Sequence, residues 1–186
     1  MNLQNARFAA RSELGALARR IIPDLCRWCL RAGNMRLHGY LRGYVLGGDS
    51  SKLEIRGRRV FCSDRRGAEG CGRTISILRS DLIARRFVTA GVLWLLLAIC
   101  ATSQAFAPAW AEVSGGLSRS TGYRLRCEIR RAQTHIRAAL LSSALPPECD
   151  APEPLAQLVA HLAAAAPPKE CPVAAFQLRF QRSIFS

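Results

Sequence analysis

Two of the eight cysteines stand as Cys26-Arg27-Trp28-Cys29. A C-x2-C turn brings two thiolates to one side of a tetrahedral ion and leaves backbone amides for the sulfurs. Such an ion takes four ligands, so a second pair must come from elsewhere. Cys62 and Cys71 are the other cysteines of the same Gly-rich stretch, although eight residues, SDRRGAEG, separate them. His38 is an alternative to Cys62; its other reading is a surface or packing histidine. A lone C-x2-C also suits a redox pair, but that motif wants a strand before it and a helix after it. Here Pro23-Asp24-Leu25 precedes and glycines follow. The expected chemistry is therefore a structural Zn2+ on Cys26, Cys29, Cys62 and Cys71, against a competing reading of two buried pairs of free thiols. Cys100, Cys127, Cys149 and Cys171 lack ligand spacing and read as packing residues or loose thiols.

The elements that must position these thiols are short. Between Asp24 and Thr74, alternations such as RLHGYLRGYVL and KLEIRGRRVFC, with turns at Gly47-Gly48 and Gly57, predict strands. Four cysteines on two turns around a small sheet is the zinc-ribbon arrangement, in which the ion supplies folding energy that so small a sheet lacks. Before it, Leu14, Leu17 and Ile21 predict a helix over 8–22, capped by Ser12 and ended by Pro23. After it, ISILRSDLIARR (75–86) predicts a helix capped by Ser80 or Asp81.

Further on, helices are expected over 89–102 and 104–113, then Gly115-Gly116 as a turn. Ser118 is placed to cap a long helix whose Leu125, Ile129, Ala132, Ile136 and Leu140 share one face. ALPPECDAPEPL reads as a linker, and PLAQLVAHLAAAA as a helix stopped by Pro167-Pro168. The alternating Phe176, Leu178 and Phe180 of the last segment predict a strand or a docking tail.

The charge is basic and confined. The formal net charge is +14, yet residues 1–137 hold 24 of the 27 cations and 9 of the 13 acids. Such an imbalance suits an acidic partner, nucleic acid first and an anionic membrane surface second. All but Lys52 and Lys169 are Arg, which grips phosphate and guanine bidentately. A GC-rich genome would give the same preference for Arg over Lys, but not its confinement. The N-terminus carries charges where a signal peptide has its apolar core, so reduced cysteines and a cytoplasmic location are expected.

The run CxxC, RLHGYLRGY, RGRRVFC…CGRTIS resembles the N-terminal zinc ribbons of bacterial insertion-sequence transposases. Cys26, Cys29, Cys71, Gly72, Arg73 and Thr74 carry the match; His38-Gly39-Tyr40 fits loosely, and Cys62 departs because SDRRGAEG stands where two residues are expected. The resemblance covers about 50 residues of the chain. It implies a structural zinc, DNA binding at mobile-element ends, and a helix-turn-helix after the ribbon. LSRSTGYRLR resembles the start of a recognition helix, whose N-terminal residues face base edges while flanking Arg contact phosphate. The DNA-contacting residues expected are Arg58, Arg59, Arg65, Arg66, Arg73, Arg119, Ser120, Thr121, Arg124 and Arg131, with Arg130 and Arg137 as further phosphate partners; the competing reading is a solvated basic face.

The expected whole is α+β: an N-terminal helix (1–23), a zinc-ribbon sheet (24–78), a mostly helical domain with a helix-turn-helix (79–143), and a Pro-rich linker, short helix and tail (144–186). No carboxylate triad on a strand series, nucleophile-base set or phosphate loop appears, so no catalysis and no small-molecule substrate are expected. The expected partners are DNA and either a transposase or a second copy. Two rivals stand beside this reading. The uncharged run Phe87–Ala111 approaches the roughly 20 apolar residues of a membrane span. It would anchor a basic protein near 87–108, against which stand Thr89, Thr102, Ser103, Gln104 and Pro108. The second rival is a zinc-stabilised module that binds proteins.

Overall fold

The computed structural model describes residues 7–8, 25–44, 53–84, 86–102 and 105–185. A sheet is followed by five helices, so the chain is α+β. Strands β2 (Met35–Gly43), β3 (Glu54–Cys62) and β4 (Thr74–Arg79) are antiparallel, and the two-residue β1 (Arg7–Phe8) lies parallel against β4. The spatial order is β1-β4-β3-β2. Side chains two apart along β3 and β4 share a face; Val60, Cys62, Ile75 and Ile77 are buried there with Met35 and Cys26. Gly57 is not the expected turn but lies inside β3, paired with Leu41 and Leu78, and it allows a close strand contact: a Cβ on it would lie 2.1 Å from the Ile77 carbonyl oxygen.

The exit helix expected over 75–86 is absent. The chain stays extended to Arg79 and then turns. Ile75 and Ile77 are both buried beside Val60, which is a period of two, and β-branched residues suit a pleated surface. Apart from Phe8, which lies in β1, the helix expected over 8–22 falls outside the described residues, as does Gly47-Gly48.

The helices are α1 (Ala90–Ala101), α2 (Phe106–Val113), α3 (Arg119–Leu141), α4 (Pro154–Ala165) and α5 (Pro172–Phe180). Two begin with a side-chain cap. The Thr89 hydroxyl accepts from the Val92 N–H at 3.1 Å, and the Ser118 hydroxyl accepts from the Thr121 N–H at 3.4 Å. The face of α3 read from the sequence is buried as expected, with α2 and α4 packed against the helix. Gly122 lets α2 approach: a Cβ there would fall 2.7 Å from the Trp110 ring, whose Nε1 donates to the Ser118 carbonyl at 3.2 Å. Helix α1 is apolar on every side and packs against α2, α4 and α5, leaving Leu95 exposed. Its 12 residues reach about 18 Å, against about 30 Å for a bilayer core. No helix of the described residues is long and apolar enough to cross a membrane.

The C-terminal segment is a helix, not a strand. Pro172 starts it, where a missing N–H costs nothing. Val173, Phe176 and Gln177 bury the i, i+3, i+4 face, while Phe176 and Phe180 stack at 4.8 Å. The docking expectation holds: the fully buried Gln177 donates to the carbonyls of Ser80 (2.6 Å) and Leu82 (3.2 Å) and accepts from the Ile184 N–H at 3.3 Å. These bonds tie the end of the chain to the junction of sheet and helices. Arg56 of β3 reaches the same junction, donating to the Ile83 carbonyl at 3.0 Å and to that of Arg86.

Candidate metal centre and basic surface

The first pair of thiols sits on a tight turn. Leu30 N–H donates to the Cys26 carbonyl at 2.7 Å, and Cys26 N–H donates to the Arg31 carbonyl at 2.9 Å. Closing the turn puts Leu30 at φ +57°, a left-handed conformation unfavourable to a side chain. The second pair is built across a hairpin. Cys62 and Arg73 pair through Cys62 N–H, Gly72 N–H returns to the Cys62 carbonyl (both 2.9 Å), and Gly72 takes φ +69°. Both turns therefore place a left-handed residue directly after their last cysteine.

The eight-residue insertion does not part Cys62 from Cys71. Gly70 N–H bonds the Ser63 carbonyl at 2.8 Å, so residues between them loop out and the two cysteines become cross-strand neighbours. Gly70 is required, since a Cβ would lie 2.1 Å from the Ser63 oxygen and 2.7 Å from the Cys62 sulfur. Glu69 of the loop pairs with Arg31 of the first turn at 3.1 Å.

The four sulfurs lie within 4.8 Å of one another. Cys26 and Cys71 are 3.6 Å apart, Cys29 and Cys62 3.7 Å. A tetrahedron with metal–sulfur bonds of about 2.3 Å has sulfurs about 3.8 Å apart, whereas a disulfide would need about 2.0 Å. Cys26 and Cys62 are buried, Cys29 and Cys71 half-buried. Cys71 N–H points at the Cys62 sulfur at 3.4 Å. Burial opposes ionisation of Cys26, but hydrogen bonds from the Cys29 and Trp28 backbone and from the Cys71 and Cys29 thiols bring it to about 7. Burial, with Cys29 and Cys26 adjacent, pushes Cys62 up to about 12. Cys71 has a backbone hydrogen bond from Arg73 favouring its thiolate, yet burial and the Cys26 and Cys29 thiols raise it. One thiolate is thus readily held here without a metal, and four need a cation to offset them.

His38 does not complete the site. It is exposed, its ring centroid 5.3 Å from that of Phe61. Among the described residues, these four cysteines are the one group of three or more His, Cys, Asp or Glu able to hold a metal ion. The cysteines without ligand spacing remain free; Cys127 and Cys149 are exposed.

The arginines divide by what they touch. Arg59, Arg65, Arg66 and Arg73 are exposed on β3 and on the chain between β3 and β4, and Arg58 lies half-buried, 4.9 Å from the Tyr40 ring. Arg27 and Arg73 stand 4.8 Å and 5.7 Å from the ring of Trp28, within the C-x2-C of the cysteine cluster. Arg27 and Trp28 escaped the sequence reading, although they fill the gap of the C-x2-C itself. On α3, Arg119, Arg124 and Arg131 are exposed. Ser120 and Thr121 are occupied otherwise: their hydroxyls lie 2.9 Å and 3.0 Å from the Ser118 hydroxyl, at the cap. Arg137 is half-buried and donates to the Pro154 carbonyl of α4. At about 100° per residue, Arg124 and Arg131 fall on one flank of α3, while Arg119, Arg126, Arg130 and Arg137 fall on the other.

No family model, curated protein or solved structure matches this chain.

Proposed function

We propose that this chain is a zinc-stabilised, non-catalytic, cytoplasmic DNA-binding protein related to insertion-sequence transposases. The observation that carries the reading is the four-thiol cluster, framed by a ribbon whose Arg59, Arg65, Arg66 and Arg73 are exposed and form no ion pair with a described acid. The tight α2–turn–α3 unit, with Gly115 and Gly116 at positive φ and Ser118 as cap, serves as the helix-turn-helix. Arg119 at the start of α3, with Arg124 and Arg131 further along it, then grips phosphate, while Ser120 and Thr121 shape the entry of the helix. The metal is zinc because four thiolates at tetrahedral spacing suit it best among abundant hard and borderline cations.

The test is duplex-DNA binding as a function of salt, alongside metal analysis. Wild type should carry one zinc and bind with an affinity that falls steeply with salt. Arg119→Gln/Arg124→Gln/Arg131→Gln should keep the zinc and flatten the log–log slope by about 3, at roughly 0.9 per phosphate contact. An unchanged slope removes α3 from the interface; no binding at low salt defeats the DNA reading.

A further inference from the structure

Helices α1, α2 and α3 and the start of α4 enclose an open groove of 470 Å³, within the range of ligand sites between bundle helices. Its floor is apolar. Leu96 and Leu97 of α1 and Ile129 of α3 are buried there, and Leu155 of α4 is half-buried beside them. Its wall is cationic. Arg126 and Arg130 follow one another at i, i+4 on α3, where like charges repel. Neither forms an ion pair with a described residue. Glu128, the one acid of α3, is held by Arg86 at 3.0 Å.

The opposite rim is the N-terminus of α4. Glu153, Pro154 and Leu155 of that end line the groove, and the capping residue Glu153 makes no side-chain capping hydrogen bond. Glu153 is also the one acid lining it. Two guanidiniums over an apolar floor complement one kind of molecule, an amphiphile with an anionic head. Arginine forks take a carboxylate bidentately, which a bare apolar slot cannot do.

We propose that this groove binds a small monocarboxylate with an apolar body, its head between Arg126 and Arg130 and its body on Leu96, Leu97 and Ile129. Arg126 and Arg130 lie on the flank of α3 away from Arg124 and Arg131, so the groove is separate from those two phosphate contacts, while Arg119 shares its flank. Cys100, half-buried in the wall of the groove, serves as its reporter.

The full chain would be titrated with decanoate and, as the same chain with the opposite head, decylammonium. Decanoate should bind saturably at one site and slow maleimide labelling of Cys100, followed by peptide mass spectrometry; decylammonium should do neither. Arg126→Gln/Arg130→Gln should weaken decanoate by about tenfold or more, the loss of one to two charge-assisted hydrogen bonds. Glu153→Gln, which removes the competing charge, should tighten it. All three positions are exposed, so melting curves should match wild type. Equal uptake of the two amphiphiles, no saturable uptake of decanoate, or unchanged binding by the double arginine variant would overturn the assignment.

Discussion

Removing the metal should dissolve the sheet and spare the helices. The sheet's core contains four aliphatic side chains, Met35, Val60, Ile75 and Ile77, besides Cys26 and Cys62. At about 1.5–3 kcal/mol each, their burial contributes about 6–12 kcal/mol. A structural zinc contributes about 10–16 kcal/mol at neutral pH, comparable to the whole aliphatic cluster or larger. The helices stand on a separate cluster of 18 buried residues that includes none of the four thiols. A chelator added under reducing conditions should therefore erase the dispersed amide signals of β2, β3 and β4, leave those of α1 to α5, and be reversed by added zinc. Cys62→Ser should behave like chelation, whereas His38→Ala should keep the metal. Sheet signals that persist without metal, or equal metal loss in the Cys62 and His38 variants, would refute the reasoning.

Three further outcomes follow from particular contacts. Gly122→Ala drives a Cβ to 2.7 Å from the Trp110 ring, so it should destabilise by about 1–3 kcal/mol, as overpacking does; a thermal melt measures it. Gln177→Leu keeps the volume but strands the carbonyls of Ser80 and Leu82 and the N–H of Ile184. It should cost at least about 2 kcal/mol and release the C-terminal segment to early proteolysis. Metal affinity should rise with pH. With Cys26 at about 7 and Cys62 pushed up to about 12, the incoming ion must displace protons from Cys62 and from Cys71, whose thiol is also raised. Acidification restores those protons and expels the metal. Competition titrations across the neutral range check this; an affinity indifferent to pH would mean the ligands are not these thiols.

Much of the fold was legible in local pattern. The five-residue apolar face of α3, the Ser118 cap and the Gly115-Gly116 turn are properties of short windows, and each stands where the sequence put it. The two misjudged elements share a cause. ISILRSDLIARR and CPVAAFQLRFQRSIFS each carry apolar residues at spacings of both two and four, and short windows of that kind suit strand and helix alike. Pairing with β3 decided the first as strand; burial of Val173, Phe176 and Gln177 against the sheet–helix junction decided the second as helix.

The same division runs through the candidate site. The sequence by itself determined which atoms were on offer: a C-x2-C pair, a Cys-Gly-Arg-Thr turn, and a cationic charge confined ahead of residue 138. It could not decide whether Cys62 belonged, because spacing along the chain measures distance only when the intervening residues run straight. The bond between Gly70 and Ser63 folds the eight-residue insertion out of the path. Cys62 thereby enters the tetrahedron and His38 is left on an exposed strand. Tertiary structure alone likewise split the α3 arginines into those facing solvent, those over the groove and Arg137 bonded to the Pro154 carbonyl, since the helix sets only their angles and its neighbours decide what stands opposite each.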